Sequence, residues 1–224
     1  MSHFIMIAID GPSASGKGTL AHRLAEQFHL FYLDTGALYR CVAKYILDHA
    51  LNPDDHTAAE RAAHYIHDHL NLEMLMDPAL RTQEVADATS RCSRFPSMRK
   101  ILLDLQRNFA HHPPHSAGSK PWMGSILDGR DIGTVVCPEA DIKFFVTASL
   151  EVRARRRHQE LLTRGHAHDF ETVFEEMLER DERDKNRSAA PALPADDAVI
   201  LDSSLMSADD VFEKACDIVR ERVL

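Results

Sequence analysis

The chain has 224 residues, of which 44% are hydrophobic and 27% charged, and its formal net charge is −9 at pH 7. These proportions are typical of a globular domain, and the acidic balance argues against a general nucleic-acid or anionic-membrane binder. No apolar run approaches the roughly 18 residues of a membrane span, the N-terminus lacks the pattern of a signal peptide, and the four cysteines include no C-x-x-C pair. We therefore expect a cytoplasmic monomer with reduced thiols that binds neither nucleic acid nor membrane.

Strands and helices are predicted to alternate along the chain. Short apolar runs of strand length recur, and amphipathic stretches such as 17–29, with Leu20, Leu24 and Phe28 on one face, lie between them. This alternation predicts an α/β fold with a five-stranded parallel sheet covered by helices on both faces. The predicted strands are "FIMIAI" (4–9), "FYL" (31–33), "SILD" (125–128), "DIKFFVT" (141–147) and "AVILD" (198–202).

The middle of the chain reads mainly as helices. "TAAE" at 57–60 has the pattern of a capping box, and Thr82 and Ser97 are predicted to cap two further helices. "LNLEMLMDPAL" at 70–80 is ambiguous between a short strand with a turn and a plain connection. The His- and Pro-rich segment 111–124 is predicted to be a loop.

A Gly-rich phosphate loop, "GPSASGKGT", follows the first strand and opens the first helix. In that context the backbone N–H groups of residues 13–18 can surround an anion, the helix N-terminus adds its dipole, and Lys17 can reach the β and γ oxygens of a nucleoside triphosphate. We therefore expect an ATP site. The residues of this loop predicted to bind ATP are Gly11, Pro12, Ser13, Ala14, Ser15, Gly16, Lys17, Gly18 and Thr19.

The residue after the lysine narrows the class of protein. Many phosphate loops place a Mg²⁺-binding hydroxyl there, but this chain has Gly18, and the hydroxyl comes one residue later at Thr19. The G-K-G-T variant resembles that of nucleoside monophosphate kinases. The chain also lacks the N-K-x-D guanine motif of GTP-dependent switch proteins.

Arginines are concentrated where a second phosphorylated ligand would need them. Eight of the 19 arginines fall between residues 153 and 187, and Arg40 and Arg130 follow two predicted strands. Ligands of α/β proteins bind at the carboxyl ends of strands, and guanidinium groups match phosphoryl oxygens. These positions therefore predict an acceptor site. Thr35 and Tyr39 accompany Arg40, and Asp128 and Asp131 flank Arg130.

Five segments carry a family resemblance: "IDGPSASGKGT", "LDTGALYR", "RTQEVADATS", "LDGRDIGTVVCPEA" and "ERDERDKNRSAAPALPADDAVILDSS". They resemble bacterial cytidylate kinases, and the paired "GRDIGT" and "ERDERDKNR" segments are more specific than the phosphate loop. The resemblance implies transfer of the γ-phosphoryl group of ATP to CMP or dCMP. It also implies one P-loop kinase domain over 1–224, with an acceptor-binding insert at about 50–110 and a mobile lid at about 153–187.

The same resemblance implies roles for individual residues. Lys17 and Thr19 belong to the donor site, and Arg157, within "RARRR", is expected to contact ATP. The implied catalytic residues are Lys17, Arg130, Arg180 and Arg187. The implied acceptor residues are Thr35, Tyr39 and Arg40; Ser90, Arg99 and Asp131, which read the cytosine edge; Arg180 and Asp184, which hold ribose and phosphate; and Arg130 and Arg187, which clamp phosphate.

Mg²⁺ is the expected cofactor, bound together with ATP. Asp128, at the end of the predicted strand "SILD", is a candidate for its hydration shell through water, and Asp34 competes for that role. Fourteen histidines also raise the possibility of a metal site. His64 and His67 lie on adjacent helical turns, but the sequence indicates no third ligand, so we interpret them as surface residues.

Three departures from the family pattern bear on the prediction. Ala14 stands where the family often has Gly, which requires a negative φ if Ala is to fit without strain. The stretch 70–81 is shorter than the usual acceptor-binding insert, and 111–124 is longer.

Other functions remain open on the residues alone. A kinase of the same fold could act on UMP, AMP or a non-nucleotide acceptor. A regulatory protein could bind ATP and transfer nothing.

Overall fold

The computed structural model describes residues 4–114, 120–163, 165, 169–187 and 190–223. The strands are β1 (Ile5–Asp10), β2 (Phe31–Asp34), β3 (Gly124–Gly129), β4 (Ile142–Thr147) and β5 (Val199–Asp202). The helices are α1 (Lys17–Phe28), α2 (Thr35–Asp48), α3 (His56–His69), α4 (Leu72–Met76), α5 (Gln83–Cys92), α6 (Pro96–His111), α7 (Leu150–Thr163), α8 (Phe170–Lys185) and α9 (Ala208–Val223). A 3₁₀ turn spans Pro78–Arg81, and a π-helix spans Ile132–Val136.

The five strands form one parallel sheet in the order β2-β3-β1-β4-β5, which confirms the predicted fold class. In this register Asp10 at the end of β1 lies opposite Gly129 of β3 and Phe145 of β4. Because the strands are parallel, their carboxyl ends meet at one edge. The segments that follow β1, β3 and β4 therefore begin close together.

The main core lies between the sheet and two helices. Leu20 and Leu24 of α1 and Val211 and Val219 of α9 pack with the apolar residues of β1, β3 and β4. The central strand β1 is buried along its whole length, as expected for a strand paired on both edges. Burial of these side chains holds the start of α1, and with it the phosphate loop, at the edge of the sheet.

The described structure divides into two compact units, Met1–Leu33 with Pro113–Leu224, and Asp34–His112. In the first unit, α7 and α8 pack on each other through a small cluster made of Ala154, Leu161, Val173 and Met177. In the second unit, α2 packs against α3 and α5, and α3 packs against α6.

The segment 70–80 forms helix, so the strand alternative was wrong. Asn71 caps α4 by accepting a hydrogen bond from the Met74 N–H (2.9 Å), and Asp77 caps the 3₁₀ turn through the Ala79 N–H (2.8 Å). Leu72 and Met76 are exposed on the resulting surface. Local capping decides the structure here, because none of the strands in the described sheet pairs with this segment.

Two of the three predicted caps were also wrong. Thr82 does cap α5, since its hydroxyl accepts from the Val85 N–H (3.3 Å). However, α3 begins at His56, and its cap is Asp55, two residues before the predicted Thr57. The sixth helix begins at Pro96, whose fixed φ suits the first helical position, so Ser97 lies inside the helix.

Part of the predicted loop 111–124 lies outside the described residues, namely 115–119. Of the remainder, His111 still belongs to α6, and Trp122 Nε1 donates to the Pro114 carbonyl (2.9 Å). The four cysteines are buried and show no disulfide in the described structure. Of the helices in the described ranges, none combines the length and apolar character needed to cross a membrane.

Candidate active site

The phosphate loop joins β1 to α1 through a strained backbone that suits its glycines. Gly16, the residue before α1, has φ 91°, and Gly11 has φ 150°. A Cβ on Gly11 would lie 2.0 Å from the Val146 carbonyl oxygen, so no other residue fits against β4. Among the described residues no side chain caps α1, so its first N–H groups are directed at the loop, and Lys17 is the first helical residue. This geometry suits an anion.

Ala14 adopts φ 57°, which corrects the expectation of a negative φ at this position. A left-handed conformation costs an alanine about 1–2 kcal/mol. The methyl group offsets part of that cost, because Ala14 packs against the α7–α8 cluster around Ala154 and Val173. The phosphate loop is thus in apolar contact with the helix pair that carries six of the 19 arginines.

Polar contacts also hold the outer side of the loop. The Ser203 hydroxyl, just after β5, donates to the Ser15 carbonyl (3.0 Å), and the Arg153 guanidinium donates to the Ser13 carbonyl (3.3 Å). Arg153 is buried and also pairs with Asp181 of α8 (2.6 Å). The Ser13 and Ser15 carbonyls therefore accept from protein donors, and the N–H groups of the loop are the groups that suit a phosphate.

A cavity of about 420 Å³ opens beside the phosphate loop. Residues of the loop, of α1 and of the segment between β5 and α9 supply most of its wall, together with Arg156 and Glu160 of α7. Its volume falls within the range of small-molecule sites. The residues that line it are Ala14, Ser15, Gly16, Thr19, Leu20, Val146, Arg156, Glu160, Ser203, Met206, Ser207, Ala208 and Val211.

The arginine that lines this cavity is Arg156, the neighbour of the predicted Arg157. Arg156 donates to both the hydroxyl (2.9 Å) and the carbonyl (2.8 Å) of Ser203. Arg157 is half-buried on α7 and pairs with Glu160 (3.0 Å), whose side chain reaches the cavity wall. The two arginines are therefore neighbours in the middle of α7, and the predicted one has a carboxylate partner.

Gly18 faces the candidate metal-binding carboxylate. Asp128 is buried at the end of β3, and the Tyr32 hydroxyl donates to its Oδ1 (3.2 Å). A Cβ on Gly18 would lie 3.6 Å from Asp128 Oδ2. The position that carries a hydroxyl in many phosphate loops thus adjoins a buried carboxylate here, and an oxygen ligand of this kind suits hydrated Mg²⁺.

The turn after β3 and the end of α8 bring three of the predicted residues together. Arg130 Nε donates to Asp184 Oδ2 (2.9 Å), and Arg187 pairs with Asp184 Oδ1 (3.0 Å). Burial alone would raise the pKa of Asp184, but Arg130, Arg187 and Arg180 together hold it below its ordinary value. We call these four residues the arginine cluster. It has three positive charges around one ionised carboxylate, so an anionic ligand complements it.

Asp131 is buried directly after Arg130. Its carbonyl accepts from the N–H groups of Val135 (2.9 Å) and Val136 (3.1 Å), which closes the π-helix that follows. π-helical turns are rare and often occur at functional sites. The sequence placed Asp131 after a strand but gave no sign of the π-helix.

In the second unit, Arg40 is paired with Asp34 at the start of α2. A Cβ on Gly36 would lie 2.9 Å from the Arg40 guanidinium and 3.0 Å from Asp34 Oδ1, so glycine gives this ion pair its room. Asp34 was the alternative to Asp128 as a carboxylate for the Mg²⁺ hydration shell, and here it is paired with Arg40. Thr35, the first residue of α2, is buried.

Tyr39 and Arg99 are also brought together in this unit. The Arg99 guanidinium lies over the Tyr39 ring, 5.0 Å from its centroid, and donates to the Ser93 carbonyl (3.5 Å). Both side chains are buried. Ser90 lies on α5, and its buried hydroxyl has no hydrogen-bond partner among the described residues. A buried guanidinium and a buried hydroxyl are groups that a polar ligand can satisfy.

A family model described as cytidylate kinase matches residues 7–221. The chain belongs to the cytidylate kinase family. It is 50% identical over 218 residues to a cytidylate kinase of Rhodospirillum rubrum, covering 97% of this chain and 98% of that protein. It is 50% identical over 214 residues to a cytidylate kinase of Paramagnetospirillum magneticum, covering 96% of this chain and 97% of that protein.

The fold of this cytidylate kinase family member has solved counterparts at lower identity. An uncharacterized protein from Eubacterium ventriosum superposes with a TM-score of 0.51 at 13% identity, covering 97% of this chain and 99% of that one. This likeness concerns the fold alone.

The sequence did not identify four side chains of this family member's phosphate-loop region: Asp10, Arg153, Arg156 and Ser203. Asp10 carries a visible signal, because it ends a buried strand directly before the loop. Arg153 and Ser203 carried none that separates them from neighbouring arginines and serines. In the described residues no group of three or more His, Cys, Asp or Glu side chains could hold a metal ion.

Proposed function

We propose that the protein transfers the γ-phosphoryl group of ATP to CMP or dCMP, giving ADP and CDP or dCDP. The bond between the γ phosphorus and its bridging oxygen breaks, and a phosphate oxygen of the acceptor forms the new bond to that phosphorus. The observation that carries the proposal is the arginine cluster in a chain of the cytidylate kinase family. Three guanidinium groups around one carboxylate leave positive charge for phosphoryl oxygens.

The arginine cluster supplies the charge stabilisation that phosphoryl transfer needs. In such reactions the protein positions the reactants and neutralises charge, and forms no covalent bond itself. Asp184 keeps Arg130 and Arg187 in fixed orientations before substrate arrives. Groups that are already oriented cost no reorganisation in the transition state, so we assign Arg130, Arg180 and Arg187 to that role.

The phosphate loop and the cavity beside it would hold ATP. The backbone N–H groups of the loop and the Lys17 ammonium group suit the phosphates. The cavity adjoins the loop, and a base with its ribose would fit its 420 Å³. We therefore add Arg156 and Ser203, which line the cavity, to the ATP-binding residues.

The acceptor groups occur in each unit. In the second unit Arg40, Ser90 and Arg99 offer a phosphate partner, a hydroxyl and a buried guanidinium. In the first unit Asp131 offers a buried carboxylate. This carboxylate can accept a hydrogen bond from the exocyclic amine of cytosine.

Mg²⁺ fits the residues at the end of β3. Asp128 supplies a buried carboxylate beside Gly18. Thr19, the residue after Gly18, is exposed and carries a hydroxyl. When bound with ATP, the ion would neutralise negative charge on the phosphate oxygens. Asp128 would act through the water molecules of the ion.

A panel of acceptors tests the proposal in one assay. ADP release with ATP is measured in the presence of CMP, dCMP, UMP, AMP or no acceptor, and CMP and dCMP are expected to give by far the fastest release. Equal or faster release with UMP or AMP would identify another acceptor. ATP binding with no acceptor-dependent release would indicate a regulatory ATP-binding protein.

The base assignment is tested by adding the variant Asp131→Asn to the same panel. The asparagine keeps the shape but offers an amide that can donate, so kcat/KM for CMP falls and the gap to UMP narrows. A good base contact accounts for about 1–3 kcal/mol of discrimination. An unchanged ratio of CMP to UMP would remove Asp131 from base recognition.

A further inference from the structure

Asp10 connects the strand before the phosphate loop to the turn that carries Arg130. It is the last residue of β1 and is 3% exposed. Its Oδ1 accepts from the Ile132 N–H (2.8 Å) and its Oδ2 from the Gly133 N–H (2.7 Å). These N–H groups open the π-helix, directly after Arg130 and Asp131. Both carboxylate oxygens are therefore committed to one backbone segment 122 residues away in sequence.

The segment has little freedom to move away from this carboxylate. A Cβ on Gly133 would lie 3.1 Å from Cδ and 3.3 Å from Cγ of Lys143, and 3.4 Å from Asp10 Oδ2. The Lys143 stem from β4 thus packs on one side of the turn, and Asp10 binds the N–H groups of the turn. The Asp131 carbonyl, just before the π-helix, accepts from the Val135 and Val136 N–H groups at its far end. The position of the turn is fixed by Asp10 at its first two N–H groups.

Arg130 leaves this turn toward the arginine cluster. Its guanidinium donates to the neighbouring Gly129 carbonyl (3.3 Å) and to Asp184 Oδ2 (2.9 Å). A shift of the turn would therefore move the guanidinium relative to Asp184 and to any phosphoryl group bound there. Misplacement by about 1 Å can cost about 10²-fold in rate.

We infer that Asp10 is a positioning residue for phosphoryl transfer: its carboxylate fixes the 130–133 turn so that Arg130 meets Asp184 and the transferring group. The inference rests on the proposed role of Arg130. Asp10 contacts the turn and acts on the reaction through it.

The identity of the residue agrees with this role. Burial raises the pKa of Asp10 to about 6, although the hydrogen bonds from the Gly133 and Ile132 N–H groups act to lower it. Asp131 raises it further and Arg130 lowers it, and the Lys143 stem faces the same turn. A buried carboxylate is costly. Asparagine would accept only one of the two N–H groups and turn its own amide toward the other.

A double-mutant cycle tests whether Asp10 acts through Arg130. Steady-state kinetics are measured for Asp10→Asn, Arg130→Ala and the double variant, with melting curves for each. Asp10→Asn is expected to lower kcat about 10- to 100-fold, with KM for ATP and CMP changed by less than about threefold. In the Arg130→Ala background the same change should cost less than about threefold, because the group it positions is absent.

Asp141→Asn is the matched control. Asp141 Oδ2 accepts from the Met6 N–H (2.7 Å) near the start of β1, so its loss removes a comparable carboxylate contact from the same strand. We expect kcat within about twofold of the parent in both backgrounds.

Two outcomes have separate meanings. If Asp10→Asn lowers kcat by the same factor with and without Arg130, Asp10 does not act through Arg130 and the inference is overturned. If Arg130→Ala itself retains near-normal kcat, the proposed function of the arginine cluster fails instead.

The wild-type protein gives a second readout should Asp10→Asn fail to fold. As pH falls through about 6, the value to which burial raises the pKa of Asp10, the Ile132 and Gly133 amide signals in nuclear magnetic resonance spectra should shift with one midpoint. The Arg130 Nε signal should shift at the same midpoint. An Arg130 signal that stays constant while both amide signals move would overturn the inference.

Discussion

The phosphate loop and the arginine cluster both present positive potential, but they are held in place by different groups. The loop depends on its backbone: Gly16 at φ 91° and Ala14 at φ 57° set its path, and its carbonyls accept from Arg153 and Ser203. The cluster depends on side-chain charge, since one carboxylate, Asp184, contacts Arg130 and Arg187. The loop should therefore respond to changes of backbone conformation, and the cluster to changes of charge and pH.

Two carboxylates, the buried Asp10 and the partly buried Asp184, show the same contrast. Burial raises the pKa of Asp10, which has two backbone N–H partners, to about 6. Burial also opposes ionisation of Asp184, but three arginines outweigh it and hold its pKa low. Neutral dipoles compensate only partly for lost hydration, whereas opposite charges can more than compensate for it.

The largest expected effect comes from the one charged side chain of the phosphate loop. Lys17→Ala should lower kcat by about 10³-fold, because the ammonium group neutralises charge on the transferring phosphate. The melting temperature should stay close to that of the parent, since backbone groups hold the loop. Lys214→Ala, an exposed lysine on α9, is the control for loss of charge alone. Near-normal turnover in Lys17→Ala would contradict the phosphate-loop assignment.

Asp184→Asn should damage both stability and activity. Removing one partner of a buried ion pair typically costs about 3 kcal/mol, and here it leaves three arginines facing one another. We expect kcat to fall about 10²-fold. Losses should be equal with CMP and dCMP, because both oxygens of Asp184 contact arginines.

The matched control for this variant is Asp197→Asn. Asp197 also pairs with a basic residue, Lys143 (2.9 Å), but it is 65% exposed, so less than about 1 kcal/mol is at stake. A larger loss with CMP than with dCMP in Asp184→Asn would instead support contact with the ribose 2′-hydroxyl.

Stability should depend on pH in opposite directions at the two carboxylates. Asp10 has a folded-state pKa of about 6, above its ordinary 3.8, so the native state holds the extra proton between these values and stability falls as pH rises through this window. Asp184 has a lowered pKa, so its contribution is present above the ordinary value and is lost as pH falls below it. The integrated effect at Asp10 is about 3 kcal/mol.

Denaturant unfolding at several pH values measures both effects. The free energy of unfolding of the wild type relative to Asp10→Asn should decrease between pH 4 and about 6. Relative to Asp184→Asn, that of the wild type should increase as pH rises through the acid range. Parallel pH profiles for the wild type and Asp10→Asn would show that Asp10 is not the group responsible.

The sequence allowed prediction of the parts of this molecule that local patterns determine. Short apolar runs between amphipathic helices predicted the five parallel strands, and the residues around Lys17 predicted the phosphate loop. The helix at 72–76 escaped prediction because Asn71 and Asp77, and no apolar period, determine it. Its apolar residues suggested a strand.

The arrangement of the site depended on contacts that the sequence does not reveal. Arg130 and Asp184 are 54 residues apart in the chain, and Asp10 and Ile132 are 122 apart. Motif spacing identified Arg130 and Asp184 as candidates but not as partners. The role of Asp10 required the position of the π-helix, for which no residue pattern was evident.

Ala14→Gly should have the smallest effect, and it tests the backbone half of the comparison directly. Ala14 has φ 57°, where an alanine loses about 1–2 kcal/mol relative to its preferred conformations. Glycine removes this strain but costs about 0.5–1 kcal/mol in unfolded-chain entropy, and the methyl contact with the α7–α8 cluster is lost. The net gain in free energy of unfolding should be about 0.5 kcal/mol or less.

Ala50→Gly is the matched control, because Ala50 has φ 52° and is exposed, so it reports the backbone term alone. A gain at Ala14 smaller than at Ala50 measures the packing of the methyl group on α7 and α8. A clear loss of stability at Ala14, with a gain at Ala50, would mean that this contact outweighs the backbone strain, and that the phosphate loop too is held mainly by a side chain.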